Sequence, residues 1–241
     1  MPSRLETRRM FGSDPPIVNR WRRFRLTGPR GLARFMAATL FPPRCCLCGF
    51  EGASLDLDLC CFCRASLPWD SAAPRAEFCA LRYEHPVDDL IRQLKYQGVL
   101  ANARVLGVLL AQAVSGRGHA LPRLLVPVPL HLSRLRERGF NQAAALARYA
   151  GRMLEIPVAS HALRRLRNTP SQTALDVPER HRNVRGAFAV NGARALRRLL
   201  DAGHVAIVDD VVTTGSTVNE LRAVLLAAGI RQVDVWAVAR A

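Results

Sequence analysis

The chain has 241 residues, 49% of them hydrophobic, and a formal net charge of +16. That length suits one full domain with a small appendage, and that hydrophobic share lets a core form, which excludes wholesale disorder. No apolar run approaches the roughly 18–20 residues of a membrane span, and no continuous apolar segment follows the arginine-rich start, so neither a spanning helix nor a secretory signal is expected and the default location is cytoplasmic.

Lys95 is the only lysine; every other basic residue is arginine. Part of that skew reflects genome composition, but its distribution is informative. Residues 1–44 hold ten arginines against Glu6 and Asp14, a local charge of +8, and residues 161–199 hold nine against Asp176 and Glu179. Such blocks suit phosphate-rich partners, single-stranded DNA among them; a solvated basic tail with surface arginine is the plainer alternative. Trp21 and Phe24 are interleaved with Arg20, Arg22, Arg23 and Arg25, which favours unpaired bases over duplex because rings can stack.

In chain order, residues 1–27 lack periodicity and read as a loose arm. Leu32, Phe35, Met36 and Leu40 follow helical spacing, and Pro42-Pro43 stops that helix. Residues 1–40 are therefore expected to be a basic arm with a short amphipathic helix, 41–67 a cysteine module, and 78–241 the main domain, with an Ala-, Ser- and Pro-rich linker over 65–77. In the main domain, strands are expected at 124–130, 186–190, 204–210 and 233–240. Helices are expected at 141–154 and after residue 216, the latter with Val218, Leu221, Val224, Leu225 and Ala228 on one face and Gly229 as its stop. Alternating strands and helices predict an α/β domain with a largely parallel sheet.

Six of the seven cysteines lie in CCLCGFEGASLDLDLCCFC, residues 45–63. Two C-x-x-C turns can be drawn, Cys45 with Cys48 and Cys60 with Cys63, eleven residues apart. Each turn aims two thiolates at one point, so two turns complete a tetrahedral Zn2+ site whose binding energy helps fold a small segment. Disulfides are disfavoured in a chain without a secretion signal, and a redox pair wants one C-x-x-C beside a βαβ unit. With four protein ligands the zinc is expected to be structural; Cys46 and Cys61 fall outside the set.

VAIVDDVVTTGSTV, residues 205–218, puts Asp209 and Asp210 at the end of an apolar run, ahead of a loop with hydroxyls at Thr213, Thr214, Ser216 and Thr217 and a glycine at 215. Free N–H groups and the positive end of the following helix make that loop an anion site. An aspartate pair after a strand also occurs where Mg2+ serves a receiver or a hydrolase. The loop has no lysine, as a Walker A loop requires, and its spacing is not G-x-G-x-x-G. Two carboxylates beside a phosphate cradle suit a diol next to a phosphate. A ribose 5-phosphate fits, with Asp209 and Asp210 on the ring hydroxyls and Thr213, Thr214, Gly215, Ser216 and Thr217 around the phosphate.

This stretch resembles the signature of the type I phosphoribosyltransferases, which bind phosphoribosyl pyrophosphate (PRPP) with Mg2+. More of the chain resembles one branch, the ComF family, whose members include competence-associated proteins. The matching stretches are FPPRCCLCG (41–49), LCCFC (59–63), ALRYEHPVDDLIRQLKYQG (80–98), VPVPLHLSRLRERGFNQ (126–142), RNTPSQTALDVPERHRNVRGAF (167–188) and VAIVDDVVTTGSTV. They run in order over roughly residues 41–241, with doubled cysteines as a local variation. The resemblance implies a type I phosphoribosyltransferase-like parallel sheet flanked by helices. It also implies a pyrophosphate-contacting segment, in which Arg134, Arg136 and Arg138 would meet diphosphate through planar guanidinium forks, and a flexible loop over 167–188 that folds over PRPP. Lys95, the lone lysine, is a further candidate at the pyrophosphate.

Displacing pyrophosphate from C1 of PRPP needs positioned groups and charge stabilisation rather than a protein nucleophile. The acceptor and the oligomeric state are left open. Two functions are expected from these residues: a Mg2+-dependent phosphoribosyltransferase, or a protein that binds PRPP or a nucleotide while engaging single-stranded DNA or a DNA-processing partner during uptake. Fold alone does not choose between them.

Overall fold

The computed structural model describes residues 44–50, 57–71, 77–167 and 184–241. The expected helix around Leu32–Leu40, the basic arm and most of the loop over 167–188 lie outside the described residues.

Four parallel strands form the central sheet: β1 (Phe78–Arg82), β2 (Leu124–Pro127), β5 (His204–Val212) and β6 (Gln232–Arg240), in the order β1-β6-β5-β2. β3 (Leu163–Arg165) and β4 (Phe188–Val190) pair antiparallel in a separate two-stranded sheet. The helices are α1 (Cys61–Ala65), α2 (Val87–Arg92), α3 (Leu100–Ser115), α4 (Leu132–Arg138), α5 (Gln142–Leu154), α6 (Gly192–Ala202) and α7 (Ser216–Ala227). A π-helical turn, Gln93–Gln97, follows α2 directly. This is the expected α/β arrangement. No helix among the described residues is long and apolar enough to cross a membrane.

Both sheet faces are covered, as a parallel sheet requires. Along β5, Ala206 and Val208 enter one core, built with Leu90, Ile91 and Leu94 and with the buried sides of α3 and α5. Val205 and Ile207 enter the other, with Leu199 of α6, Val218, Leu221 and Leu225 of α7, and Leu163 and Phe188 of the small sheet. The period-two alternation of a strand produces this division.

The helix α3 was not legible from periodicity because it is apolar nearly all round: Ala103, Val105, Leu106, Leu109 and Leu110 are all buried, so no polar stripe marks a period. It lies close against α5, where a Cβ at Gly107 would stand 2.7 Å from the Leu146 carbonyl oxygen. α6 shows the opposite pattern, with Leu199 its one buried residue. The expected linker also has structure in its described part. Asp70 N–H donates to the Ala80 carbonyl and Arg82 N–H to the Pro68 carbonyl, so residues 68–70 run antiparallel beside β1.

The cysteine segment does not stand apart from the core. Cys45, Leu57, Leu59, Cys60 and Leu67 are buried in the same cluster as α3, and Arg104 of α3 forms an ion pair with Asp58.

Candidate functional site

Cys45, Cys48, Cys60 and Cys63 bring their sulfurs within 4.8 Å of one another. The local fold accounts for this. The turn after Cys45 closes with Gly49 N–H donating to the Cys45 carbonyl, and Gly49 takes a φ of 70°, which glycine adopts without strain. In the second turn, Cys60 caps α1, its sulfur 3.4 Å from the Cys63 N–H. Cys48 Sγ and Cys60 Sγ are 3.8 Å apart, the edge of a tetrahedron with Zn–S bonds of about 2.3 Å. Burial opposes ionisation of Cys45, but backbone hydrogen bonds around it outweigh that and bring its thiol down to about 6. The four cysteines can hold one metal ion, and the donor set fits structural zinc. Cys46 and Cys61 are exposed and outside the cluster.

The second constellation sits at the carboxyl edge of the parallel sheet, where open α/β sheets place ligands. β5 extends through Asp209 and Asp210 to Val212, two residues beyond its expected end. Alternation gives the two carboxylates different neighbours. Asp210 is buried and its Oδ2 lies 2.6 Å from Lys95 Nζ. Asp209, half-buried, comes under the charge of Arg165 at the end of β3. The ladder to β6 is interrupted at Asp210. There the N–H of Asp210 donates to Asp209 Oδ1 at 2.9 Å, and that of Val211 donates to Asp210 Oδ1 at 3.0 Å.

The loop then turns at Gly215, whose φ of 74° opens α7. Thr214 Oγ1 and Ser216 Oγ share a hydrogen bond of 2.6 Å, and Ser216 is buried. A Cβ at Gly215 would stand 3.1 Å from both Asn219 Nδ2 and Glu77 Oε1. Glu77 is held by Arg240 from the end of β6: Nη2 donates to the Glu77 carbonyl at 2.9 Å and Nε donates to Asp70 Oδ2 at 3.2 Å.

The electrostatics follow from this crowding. Burial, with the Asp210 carboxylate alongside, holds the Asp209 carboxyl well above the ordinary carboxylate range. Burial also works against the charge on Lys95, but Asp210 more than offsets it and its ammonium stays above its usual value. Arg165, stacked on Phe188 with its guanidinium carbon 5.3 Å from the ring centroid, is pushed down by burial and then by Arg134.

Lys95 therefore meets the aspartate pair. Arg134, Arg136 and Arg138 lie on α4, which follows β2 at the same sheet edge. Arg138 Nη1 donates to Gln142 Oε1 at 2.6 Å, Arg134 approaches Arg165, and Arg136 is exposed. Sequence reasoning missed Arg165, Glu77 and Arg240. Each sits at the edge of its element and carries no spacing that marks it.

No family model matches the chain. Competence protein F of Haemophilus influenzae is 36% identical over 163 residues, 66% of this chain and 70% of that protein. DNA utilization protein YhgH of Escherichia coli K12 is 36% identical over 179 residues, 72% of this chain and 73% of that protein. The chain belongs to the ComF family. The Salmonella typhimurium protein of the same name extends the likeness to 200 residues at 34% identity, 81% of this chain and 83% of that protein. For a ComF protein, the paired cysteine turns and the aspartate-to-glycine segment are two places where chemistry-bearing side chains converge.

Proposed function

We propose that the chain binds PRPP with Mg2+ at the edge formed by Asp209, Asp210 and residues 213–217, and serves DNA uptake or utilisation as a phosphoribosyltransferase whose acceptor is left open. The observation that carries the reading is the sequence of groups at the end of β5. Two carboxylates are followed by a left-handed glycine and a hydroxyl-lined N-terminus of a 12-residue helix. The positive helix end and its hydroxyls favour a phosphate, the carboxylates favour ribose hydroxyls, and the names of the relatives, competence and DNA utilization, supply the biological setting.

In this reading the arginines of α4 face the departing diphosphate, Lys95 holds Asp210 in place, and Arg165 adds positive charge from the small sheet. Mg2+ supplies charge neutralisation on the diphosphate when bound. The chain's own residues hold the ribose, exclude water from C1 and keep cations where negative charge develops. The four cysteines would hold structural Zn2+, and a cytoplasmic location fits a user of PRPP.

Calorimetry with PRPP and Mg2+ tests this directly. Asp209→Ala or Asp210→Ala should each weaken binding by roughly 1.5–3 kcal/mol, the worth of a charge-assisted hydrogen bond. Equal affinity for analogues lacking both ring hydroxyls would remove the aspartates from the role.

A second reading is favoured by the charge of +8 over residues 1–44: a PRPP- or nucleotide-binding accessory protein that engages single-stranded DNA or a DNA-processing partner. Pyrophosphate release from PRPP with a pool of amines and bases separates the two, since only the transferase turns PRPP over.

A further inference from the structure

Lys95 reaches inward to Asp210, while Tyr96, one position on in the same π-helical turn, is 73% exposed. Its ring is not loose. The Arg138 guanidinium carbon lies 5.6 Å from the ring centroid, within the range of a cation–π contact. Arg138 is in turn fixed by its bond to Gln142, which is 7% exposed. At that separation no third plane fits between guanidinium and ring, so one face of Tyr96 is taken and its exposure belongs to the rest of the ring. An aromatic ring pinned on one side and bare on the other is pre-organised for stacking, because little rotamer freedom is left to lose on binding.

The surroundings select the kind of partner. The contact on the ring is the charged Arg138 rather than an apolar side chain. A planar heteroaromatic ring suits it, since every nucleobase presents a π-face and the Arg138 guanidinium suits a phosphate on the same molecule.

We propose that Tyr96, braced by Arg138, is the stacking face for the nucleobase-like ring of the second substrate. This inference rests on the phosphoribosyl reading of the neighbouring loop, because the ring is placed by the residue whose ammonium pairs with Asp210.

The test uses the full chain with Zn2+ and Mg2+ present and two probes, ribose 5-phosphate and adenosine 5′-monophosphate, in equilibrium titrations. The readout is the ratio of their affinities. In the wild type the nucleotide should bind more tightly by roughly 5- to 100-fold, the range for stacking one base. The ratio should fall towards 1 in Tyr96→Ala, persist in Tyr96→Phe, and shrink partly in Arg138→Gln. A wild-type ratio near 1, or the same ratio in Tyr96→Ala as in the wild type, overturns the stacking face while leaving the phosphoribosyl site standing. Failure of ribose 5-phosphate to bind the wild type overturns the phosphoribosyl reading and this inference with it.

Discussion

Lys95 Nζ and Asp210 Oδ2 stand 2.6 Å apart and join the π-helical turn after α2 to the far end of β5. Asp210 is 4% exposed, so its carboxylate depends on that ammonium. Removing one partner of a buried pair leaves the other charged and unmatched. Lys95→Met should therefore destabilise the fold by roughly 3 kcal/mol, towards the lower end for such pairs because Lys95 keeps some solvent. Lys95→Arg should recover part of the loss. Urea midpoints of the three proteins check this; a Lys95→Met midpoint equal to the wild type would show that the pair contributes nothing.

The elevated Asp209 carboxyl makes stability depend on pH. A carboxyl whose folded pKa lies above its unfolded value takes up a proton more readily in the folded state. Its favourable contribution is complete below the ordinary carboxylate value of 3.8 and is lost as pH rises through the folded value. Ionising Asp209 therefore costs the folded state. Asp209→Asn, which keeps an oxygen for the Asp210 N–H, should lessen the decline of the ligand-free melting temperature as pH rises above the ordinary carboxylate range. The same variant should bind PRPP with Mg2+ more weakly. The same pH dependence in Asp209→Asn as in the wild type would contradict the assignment.

Gly215→Ala tests the loop. The substitution forces a φ of 74° on a residue with a Cβ and brings that atom within 3.1 Å of Glu77 and Asn219. A loss of about 1–2 kcal/mol in stability is expected, with weaker binding of ribose 5-phosphate because the turn presents the helix N-terminus. Glu77→Ala in the same background should relieve part of the strain, and a double-mutant cycle would measure how much.

Much of the site was legible because it is local. The two C-x-x-C turns and the stretch from Asp209 to Thr217 each lie within a few residues, so spacing alone describes them. The strand at the end of β5 was legible too, though it runs on to Val212. What was not legible is long-range. Lys95 stood out only by its rarity in an arginine chain, and nothing in the sequence says that its partner is Asp210. Arg165 comes under the influence of Asp209 from β3, which pairs antiparallel with β4, and a three-residue strand has too few positions to show alternation. α3 gave no helical period because burial on all sides removes the contrast that a period needs.

Metal content should follow the four-cysteine cluster. The purified protein should carry about one Zn2+ per chain. Cys45→Ser or Cys60→Ser should lose it and destabilise the fold, since both residues are buried in the core shared with α3. Cys46→Ser and Cys61→Ser should keep it. Elemental analysis of the four variants decides, and full metal content in Cys60→Ser would break the four-ligand assignment.

The basic segment predicts salt-sensitive binding of single-stranded oligonucleotides. Its arginines release counterions on binding, so affinity should fall steeply between two salt concentrations and should drop when the chain begins at Phe41. Unchanged affinity in the shortened chain would place DNA binding elsewhere, and equal competition by heparin without regard to strandedness would reduce it to a generic polyanion effect.

The alternation of β5 makes the aspartate pair a matter of phase as well as composition. Ala206 and Val208 lead to Asp210 and Lys95, whereas Val205 and Ile207 lead to Asp209 and the small sheet. Deleting one residue from the first half of the strand would keep both aspartates adjacent and keep the strand hydrophobic, yet send each carboxylate to the other's neighbours. A search for relatives that share this chemistry should therefore weigh the parity of the apolar residues upstream of the pair, because the letters DD out of step with their strand spell a different site.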